Sequence, residues 1–515
     1  MNIRLWLRNG FERVERVFDA AFSPAHNPMH HLGALGWFFY WIVIVSGIYL
    51  YIFFDTGITQ AFASVEYLTH EQWYVGGVMR SLHRYASDAL VVVALVHLVR
   101  EWAKDRYRGK RWLAWITGIP MLWFIYALGI SGYWLVWDEL AQYIAIGTTE
   151  WLDTLGIFGE PIARNFLDQE TLTNRFFTLM VFVHILVPLL LLFVMWLHIQ
   201  RNARPDVNPP RALAAGTLVM LVVLSLVTPA VSHPAADLDR IVATVNPDWF
   251  YLPVYPLLDH VPGLALWAAL GIGTLLLLVF PWLPPARKQA MAVVSLANCN
   301  GCARCHADCP FNAIEMKPRS DGLAYDSEAV VDPDLCVACG ICVGACPTAT
   351  PHRRAGKLIP GIDLPEAPIA NLRLQVLEAG ARLTGPGRII VFGCGHGPLS
   401  SALDSASVAG IRVPCSGALP PAFIDFVITR GHADGVVIAG CREGDCHHRL
   451  GVEWTQARIA ARRDPYLRAR VPRERLRTMW LGSSGGHELE QALSVFREHL
   501  NTLGPYERQT DREAV

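Results

Sequence analysis

Cysteine is absent from the first 298 residues of this 515-residue chain, and all twelve cysteines follow from position 299 onward. That segregation separates a cysteine-free half from a cysteine-rich, more charged half. Charge is scarce as well: 17% of residues are Asp, Glu, Lys or Arg, against 52% hydrophobic. A chain so poor in charge places much of its length in a bilayer. The formal net charge of −1 excludes a globally basic nucleic-acid binder, and no basic patch with interleaved aromatics occurs. No G-x-G-x-x-G follows a strand pattern and no G-x-x-x-x-G-K-[ST] occurs, so no nucleotide or flavin fold is expected. The opening MNIRLWLRNGFERVERVFDAAF does not read as a signal peptide, because charges interrupt it throughout. Its Phe11, Val14, Phe18 and Phe22 suit an amphipathic helix on a membrane surface, with a short soluble helix as the alternative. The length suggests two to four domains.

Uncharged runs long enough to cross a bilayer occur at about 32–54, 114–137, 176–199, 212–231 and 262–283. A sixth, about 77–99, carries only Arg80, Arg84 and Asp88 besides its histidines. Arg100, Lys104, Arg106, Arg108, Lys110 and Arg111 crowd the second linker, Arg201, Arg204 and Arg211 the fourth, and Arg287 and Lys288 follow the last span. The first linker, 55–76, has no Lys or Arg, and the third and fifth hold Arg164, Arg175 and Arg240 between them. By the positive-inside rule both termini are cytoplasmic. Everything after residue 285 then meets a reducing compartment, where thiols serve as metal ligands rather than as disulfides.

Two spans carry histidines at one interval. His83 and His97 are 14 residues apart, and so are His184 and His198. A lone histidine on an apolar helix is usually a satisfied core residue, but two matching pairs ask for a common cause. Fourteen residues turn an α-helix to within about 40° of four full turns and raise it about 21 Å. Each pair therefore puts two imidazoles on nearly one face at opposite depths, with His83 level with His184 and His97 with His198. Two stacked bis-histidine haem sites in a four-helix bundle follow, and polar groups inside membrane helices are costly enough to be functional. Gly33 and Gly47 in the first span, and Gly118 and Gly132 in the third, repeat the interval. Missing side chains at two depths let a porphyrin approach the backbone, although membrane helices also use glycine for packing. Arg80 and Arg100 flank the ligands as partners for haem propionates or as snorkelling anchors.

RSLHRYAS, VHLVR, both glycine pairs, GYWLVW at 132–137 and HILVP at 184–188 resemble the cytochrome b of quinol-oxidising respiratory and photosynthetic complexes, over about residues 25–285. NPDWFYLPVYPLLDH at 246–260 resembles that family's Pro-Glu-Trp-Tyr quinol-site motif, here Pro247, Asp248, Trp249 and Phe250. The resemblance implies a quinone-site carboxylate at Asp248, with Pro247 and Trp249 beside it. Asp248 is one methylene shorter than the family's glutamate and Phe250 lacks a hydroxyl. An interfacial turn with an aromatic anchor is the plainer reading. The family's second quinone site needs a histidine shortly after the last haem ligand, and none lies between His198 and the next span, with Ala203 near its place.

The runs CNGCARCHADCP and CVACGICVGACP are both C-x2-C-x2-C-x3-C-P, the bacterial ferredoxin pattern for two [4Fe–4S] clusters. In that fold the fourth cysteine of each run serves the other cluster. One set is then Cys299, Cys302, Cys305 and Cys346, and the other Cys336, Cys339, Cys342 and Cys309. Zinc is the alternative for any C-x2-C pair. Beyond a loop-rich linker at about 353–386 the chain alternates strand and helix patterns, which argues a small parallel sheet. Cys394, Cys415 and Cys441 each end a predicted strand, with Cys446 five residues later. Open α/β sheets bind ligands along that edge.

FGCGHG, PCSGALP and GCREGDCHHR resemble the delta subunit of methyl-viologen-reducing hydrogenase, over about 387–505. The resemblance implies a [2Fe–2S] cluster on Cys394, Cys415, Cys441 and Cys446, with zinc as runner-up. It also implies electron exchange with a heterodisulfide-reductase-like flavoprotein. His396, His447 and His448 are candidates for tuning the site or for its partner surface, or are simply solvated.

The fold expected is multidomain: an all-α six-helix transmembrane cytochrome b bundle at 1–285, an α+β 2[4Fe–4S] ferredoxin fold at 286–352, a linker at 353–386, a C-terminal α/β domain at 387–505 and a tail at 506–515. The function expected is a membrane-bound electron-transfer subunit in a bacterial inner membrane. It would link the quinone pool, through two b haems, two [4Fe–4S] clusters and one [2Fe–2S] cluster, to a cytoplasmic flavoprotein. The alternative is an anchor and conduit without its own quinone site. A homodimer is compatible with either.

Overall fold

Apolar segments in lipid satisfy their backbone groups internally, so uncharged runs of this length become helices. The computed structural model describes residues 3–157, 159–162, 173–200, 205–242, 245–283, 290–352, 358–398 and 404–506. Arg164, Arg201, Ala203, Arg204, Arg287, Lys288 and residues 507–515 of the expected tail lie outside the described residues. The chain divides into two compact units, Met1–Arg8 with Val17–Ala286, and Asn9–Arg16 with Arg287–Val515.

Among the described residues of the first unit, five helical stretches are long and apolar enough to cross a membrane: Leu32–Phe53, Trp73–Ala103, Gly109–Val136, Asn174–Gln200 and Gly263–Trp282. The fifth of the six expected spans is shorter than its sequence window, a 17-residue apolar helix Arg211–Val227. Pro229 ends it, because the residue before a proline is pushed out of helical conformation; Thr228 has φ −133° and ψ 75°. The third expected linker is not merely a linker. It contains a 15-residue helix, Glu139–Asp153, started by the Asp138 carboxylate accepting from the Ala141 amide at 2.9 Å. An N-terminal helix, Ile3–Phe22, forms over the predicted amphipathic stretch. Val14, Val17 and Phe22 stay exposed on it while Glu12 and Glu15 are buried.

Two helix pairings organise the bundle. Leu32–Phe53 packs along Val78–Ala103, and Trp112–Val136 packs along Asn174–Gln200. The core between them includes Phe39, Tyr40, Leu90, Ile125, Trp134 and Leu191. Large apolar side chains on the outer helices, such as Leu264, Ile272 and Leu275, are exposed, as lipid-facing surface should be.

The second unit opens on β1 (Val293–Val294). The antiparallel hairpin β2 (Ile314–Pro318) and β3 (Ser327–Val331) then separates the two cysteine runs. The expected loop-rich linker is more ordered than its composition suggests. β4 (Ile362–Asp363) pairs antiparallel with β1, and a helix follows at Ile369–Arg382. That helix buries Ile369, Leu372, Val376 and Ala379 on one stripe, a helical period that the surrounding prolines and glycines disguise. A four-stranded parallel sheet completes the unit: β5 (Ile389–Cys394), β6 (Val408–Val413), β7 (Gly435–Gly440) and β8 (Leu476–Trp480), in the order β6-β5-β7-β8. Strand order reverses direction between β5 and β7, which makes their carboxyl ends the switch point where such sheets bind ligands.

Candidate metal and cofactor centres

The helix pairings bring each glycine of the 14-residue pattern against one histidine. A Cβ placed on Gly47 would stand 3.0 Å from His83 Cε1, and one on Gly132 would stand 3.2 Å from His184 Cε1. Gly33 and Gly118 stand in the same relation to His97 and His198, each at 3.7 Å from Cε1. The rings of His83 and His184 face each other across the bundle with centroids 6.3 Å apart.

Three of these imidazoles have their Nδ1 edge fixed by a hydroxyl one residue before the glycine. His83 Nδ1 lies 3.2 Å from Ser46 Oγ and 3.0 Å from the Val43 carbonyl. His184 Nδ1 lies 2.9 Å from Ser131 Oγ, and His198 Nδ1 lies 3.1 Å from Thr117 Oγ1. Each hydroxyl spends its own proton on a carbonyl of its helix: Ser46 on Ile42 at 2.6 Å, Ser131 on Leu128 at 3.1 Å, Thr117 on Leu113 at 2.8 Å. The oxygen is left to accept, so Nδ1 carries the proton and Nε2 keeps its lone pair. Histidines that ligate metals are oriented in this way. These donors therefore fit haem iron. At the fourth position Leu32 precedes Gly33, and His97 has no such hydroxyl among the described residues.

Arg80, read from sequence as a propionate partner or a snorkelling anchor, donates to Thr69 Oγ1 and to Ser232 Oγ at 2.8 Å, and pairs with Glu66 at 3.5 Å. Arg100 is buried, with Glu101 at 3.5 Å. Asp248 sits in a charged cluster that sequence reasoning did not assemble. Arg84 donates to Asp248 Oδ2 at 3.1 Å and to Asp88 at 3.1 Å, Tyr133 donates to the same Asp248 oxygen, and the arginine lies 4.4 Å over the Tyr133 ring. Asp248 Oδ1 accepts from the amides of Phe250 at 3.2 Å and Tyr251 at 2.5 Å. The turn is anchored by Tyr251, which is buried over Gly129, where a Cβ would come within 2.2 Å of its ring. Pro247 is half-buried and Trp249 is 75% exposed. Arg84, Asp88 and Tyr133 were visible as charged or hydroxylated residues inside apolar spans, but nothing in their spacing joined them to Asp248.

In the second unit one cavity is lined by Cys309, Cys336, Cys339 and Cys342, and another by Cys299, Cys302, Cys305 and Cys346. These groupings are the interleaved quartets read from the runs. In each run the residues on both sides of the second cysteine take left-handed backbone conformations: Gly301 (φ 64°) and Ala303 (φ 58°), then Ala338 (φ 54°) and Gly340 (φ 76°). Turns of this kind point successive amides into one concavity, which suits an anionic thiolate cluster. Burial pushes the Cys305 and Cys339 thiols up to about 12. Ionised sulfur there requires a cationic centre to offset desolvation.

At the switch point, Cys394 ends β5 and Cys441 follows β7, with their sulfurs 3.9 Å apart. Cys415 follows β6. A Cβ on Gly451 would stand 2.2 Å from Cys415 Sγ and 3.3 Å from Cys446 Sγ. Hydrogen bonds from the Cys415 and Cys441 thiols hold Cys446 well below the usual thiol value despite its burial. Four sulfurs around one buried point fit an iron–sulfur or zinc centre. The rings of His396 and His447 stack at 3.6 Å beside it, with His448 edge-on to both.

Three stretches of the chain match known families, in this order: residues 17–201 match Cytochrome b/b6/petB, residues 298–350 the 4Fe-4S dicluster domain, and residues 399–504 the methyl-viologen-reducing hydrogenase delta subunit. These are the three families that the sequence motifs resemble. Among solved structures, a chain described as hyperthermophilic respiratory Complex III is similar at 21% identity and TM-score 0.41, over 53% of this chain and 80% of that one. The apolar helices and the cytochrome b match fit a multi-pass membrane protein.

Proposed function

We propose that this chain is the electron-transfer subunit of a quinone-linked oxidoreductase. It holds two b haems on His83/His184 and His97/His198, two [4Fe–4S] clusters on the interleaved quartets, and one [2Fe–2S] cluster on Cys394, Cys415, Cys441 and Cys446. The observation that carries the reading is the orientation of the imidazoles, with Nδ1 protons committed to Val43, Ser46, Ser131 and Thr117 and Nε2 left open. Bound haem supplies one-electron chemistry at two depths. The protein's part is to fix ring orientation through the hydroxyls and to let the helices approach through the glycines.

In this reading the iron–sulfur unit is cytoplasmic, the membrane is a bacterial inner membrane, and the His83/His184 level lies toward the periplasm. Asp248 is the carboxylate of a periplasmic quinol site, held in place by Arg84 and Tyr133. The redox partner at the far end is a cytoplasmic flavoprotein of the heterodisulfide-reductase kind, and the route is the same whether the chain is single or paired as a homodimer.

A second reading draws on the same contacts. Asp248 is already satisfied by Arg84, Tyr133 and two amides, which suits a structural ion pair in a conduit that has no quinone site. Reduction of the purified protein by a quinol, followed at the haem α band, separates the two. In the first reading Asp248→Asn slows haem reduction at least tenfold while the dithionite-reduced spectrum is unchanged. An unchanged rate leaves only the conduit. A preparation with no haem band and no iron after full cofactor supply would overturn both.

A further inference from the structure

The two dicluster quartets are not equivalent in their relation to the C-terminal thiols. Cys339 of the second quartet shares one buried apolar cluster with Ile341, Cys415 and Ala418. No cysteine of the first quartet joins the buried clusters of Cys394, Cys415 or Cys441 among the described residues. The contact is built for close approach. A Cβ on Gly344 would meet the Gly417 carbonyl at 2.0 Å, one on Gly417 would meet Gly451 Cα and Ile341 Cγ1 at 3.0 Å, and one on Gly451 would meet Cys415 Sγ at 2.2 Å. Three glycines thus stack the short helix Ile341–Ala345, the turn after Cys415 and the helix Gly451–Ile459 backbone to backbone.

A buried arginine ties these layers together. Arg458 is 1% exposed. It donates to Asp308 Oδ2 at 2.5 Å, to the Gly417 carbonyl at 2.7 Å and to the Ile341 carbonyl at 3.3 Å. Asp308 directly precedes Cys309, the residue that the first run lends to the second quartet. Its carboxylate also accepts from Arg463 at 2.7 Å and its carbonyl from Trp454 at 3.1 Å. The arginine therefore touches all three elements that carry Cys309, Cys342 and Cys415.

We propose that the quartet Cys309, Cys336, Cys339 and Cys342 is the exit of the dicluster module toward the four C-terminal thiolates, and that Arg458 and the glycine stack are the positioning elements that hold this gap short. The inference rests on the cluster assignments proposed above. One electron passes between the centre on the second quartet and the centre on Cys394, Cys415, Cys441 and Cys446. One centre is oxidised by one unit and the other reduced by one, with no bond made or broken and no proton required. The centre on the first quartet, Cys299, Cys302, Cys305 and Cys346, is the inner member of the pair. Tunnelling rates fall steeply with separation, so a route through the close contact outruns one that bypasses it.

The test uses the full-length protein with its clusters, reduced with dithionite and followed by EPR power saturation. Cys302→Ser removes a ligand of the first quartet and Cys336→Ser one of the second. Relaxation enhancement of the C-terminal centre is expected to persist in Cys302→Ser and to fall at least tenfold in Cys336→Ser. The reverse pattern, or equal enhancement in both, overturns the exit assignment. Stepwise redox titration of the unaltered protein answers the same question if a variant loses its iron. Coupling must rise with one [4Fe–4S] signal alone, and equal coupling to both overturns the proposal. Gly417→Ala leaves every cysteine in place and should weaken the coupling several-fold at wild-type iron content; unchanged coupling overturns the positioning role. Zinc instead of iron at the C-terminal thiols overturns this exit through the [2Fe–2S] assignment, and metal analysis distinguishes that failure from a wrong route.

Discussion

Ser46, Thr117 and Ser131 do more at their sites than their small size suggests. Each precedes a glycine, each gives its proton to its own helix, and each accepts from a histidine Nδ1. An accepted Nδ1–H raises the basicity of Nε2 and favours ferric over ferrous iron. On the proposed haem assignment, Ser131→Ala should therefore raise the midpoint potential of the haem on His184 by tens of mV, at about 59 mV per tenfold change in relative affinity. The haem at the His97/His198 level should stay within a few mV, and a potentiometric titration at the α band reads both. The pattern Ser-Gly, Thr-Gly, Ser-Gly was legible in the sequence, whereas its partners were not, because a hydroxyl in a membrane helix reads first as a bond to its own carbonyl. Arg84 was equally hidden. Arg84→Gln removes the only cation placed on Asp248 among the described residues and, on the proposed quinol-site reading, should slow quinol-driven haem reduction by the same order as Asp248→Asn. Arg84→Lys, which keeps the charge but not the two-carboxylate reach, should recover part of the rate.

Among the elements, the parallel sheet was the most readable and the segment before it the least. β5, β6, β7 and β8 stand where apolar runs bounded by glycine and cysteine place them, because buried parallel strands read as continuous hydrophobic stretches. The helix Ile369–Arg382 is hard to see in the sequence because the prolines and glycines around it read as loop. The helix Pro421–Thr429 carries a second polar anchor, the fully buried Asp425. It accepts from His352 at 3.0 Å, from Arg470 at 2.8 and 2.5 Å, and from Arg468 at 3.4 Å. Burial alone would raise this carboxyl, but the hydrogen bonds from His352 and Arg470 outweigh it and hold Asp425 well below the usual carboxylate range. A depressed pKa stabilises the fold above the unfolded carboxylate's value of about 4, and the contribution is lost as pH falls below it. Asp425→Asn should cost about 1–3 kcal/mol at pH 7 and show no further loss from this site on acidification. Thermal unfolding of the iron–sulfur unit in the full-length protein at pH 7 and at about pH 2.5, inside the window where the contribution is lost, checks both statements. Arg458 is a different case. Arg458→Met leaves Asp308 with Arg463 alone and takes a donor from the buried Gly417 and Ile341 carbonyls, which should cost about 1–3 kcal/mol, read as a lowered melting transition of the same unit.

Across the whole molecule, the histidine intervals and cysteine runs made the order of the three family matches legible, since shared spacing of this kind is tighter than packing alone requires. The lengths of the outer helices and the identity of the small residues between cluster modules were not legible. A bilayer tolerates short apolar helices, and glycine in a loop declares no partner. The stacked histidine levels carry a consequence for energy coupling. Their separation of about 21 Å spans about two-thirds of a hydrocarbon core of about 30 Å. Moving one electron between them through a potential of 100 mV, worth about 2.3 kcal/mol over the full membrane, should involve about 1.5 kcal/mol, or roughly a tenfold change in equilibrium. In the proposed orientation the electron moves toward the cytoplasmic face, so an interior-negative potential opposes it. In sealed vesicles with the iron–sulfur unit on the inside, quinol added outside should leave the haem on His97 and His198 about tenfold less reduced, relative to its partner, at 100 mV than after collapse by an ionophore. Equal reduction in the two conditions would mean that the levels do not lie across the membrane, and a more reduced inner haem at 100 mV would mean that the orientation is inverted.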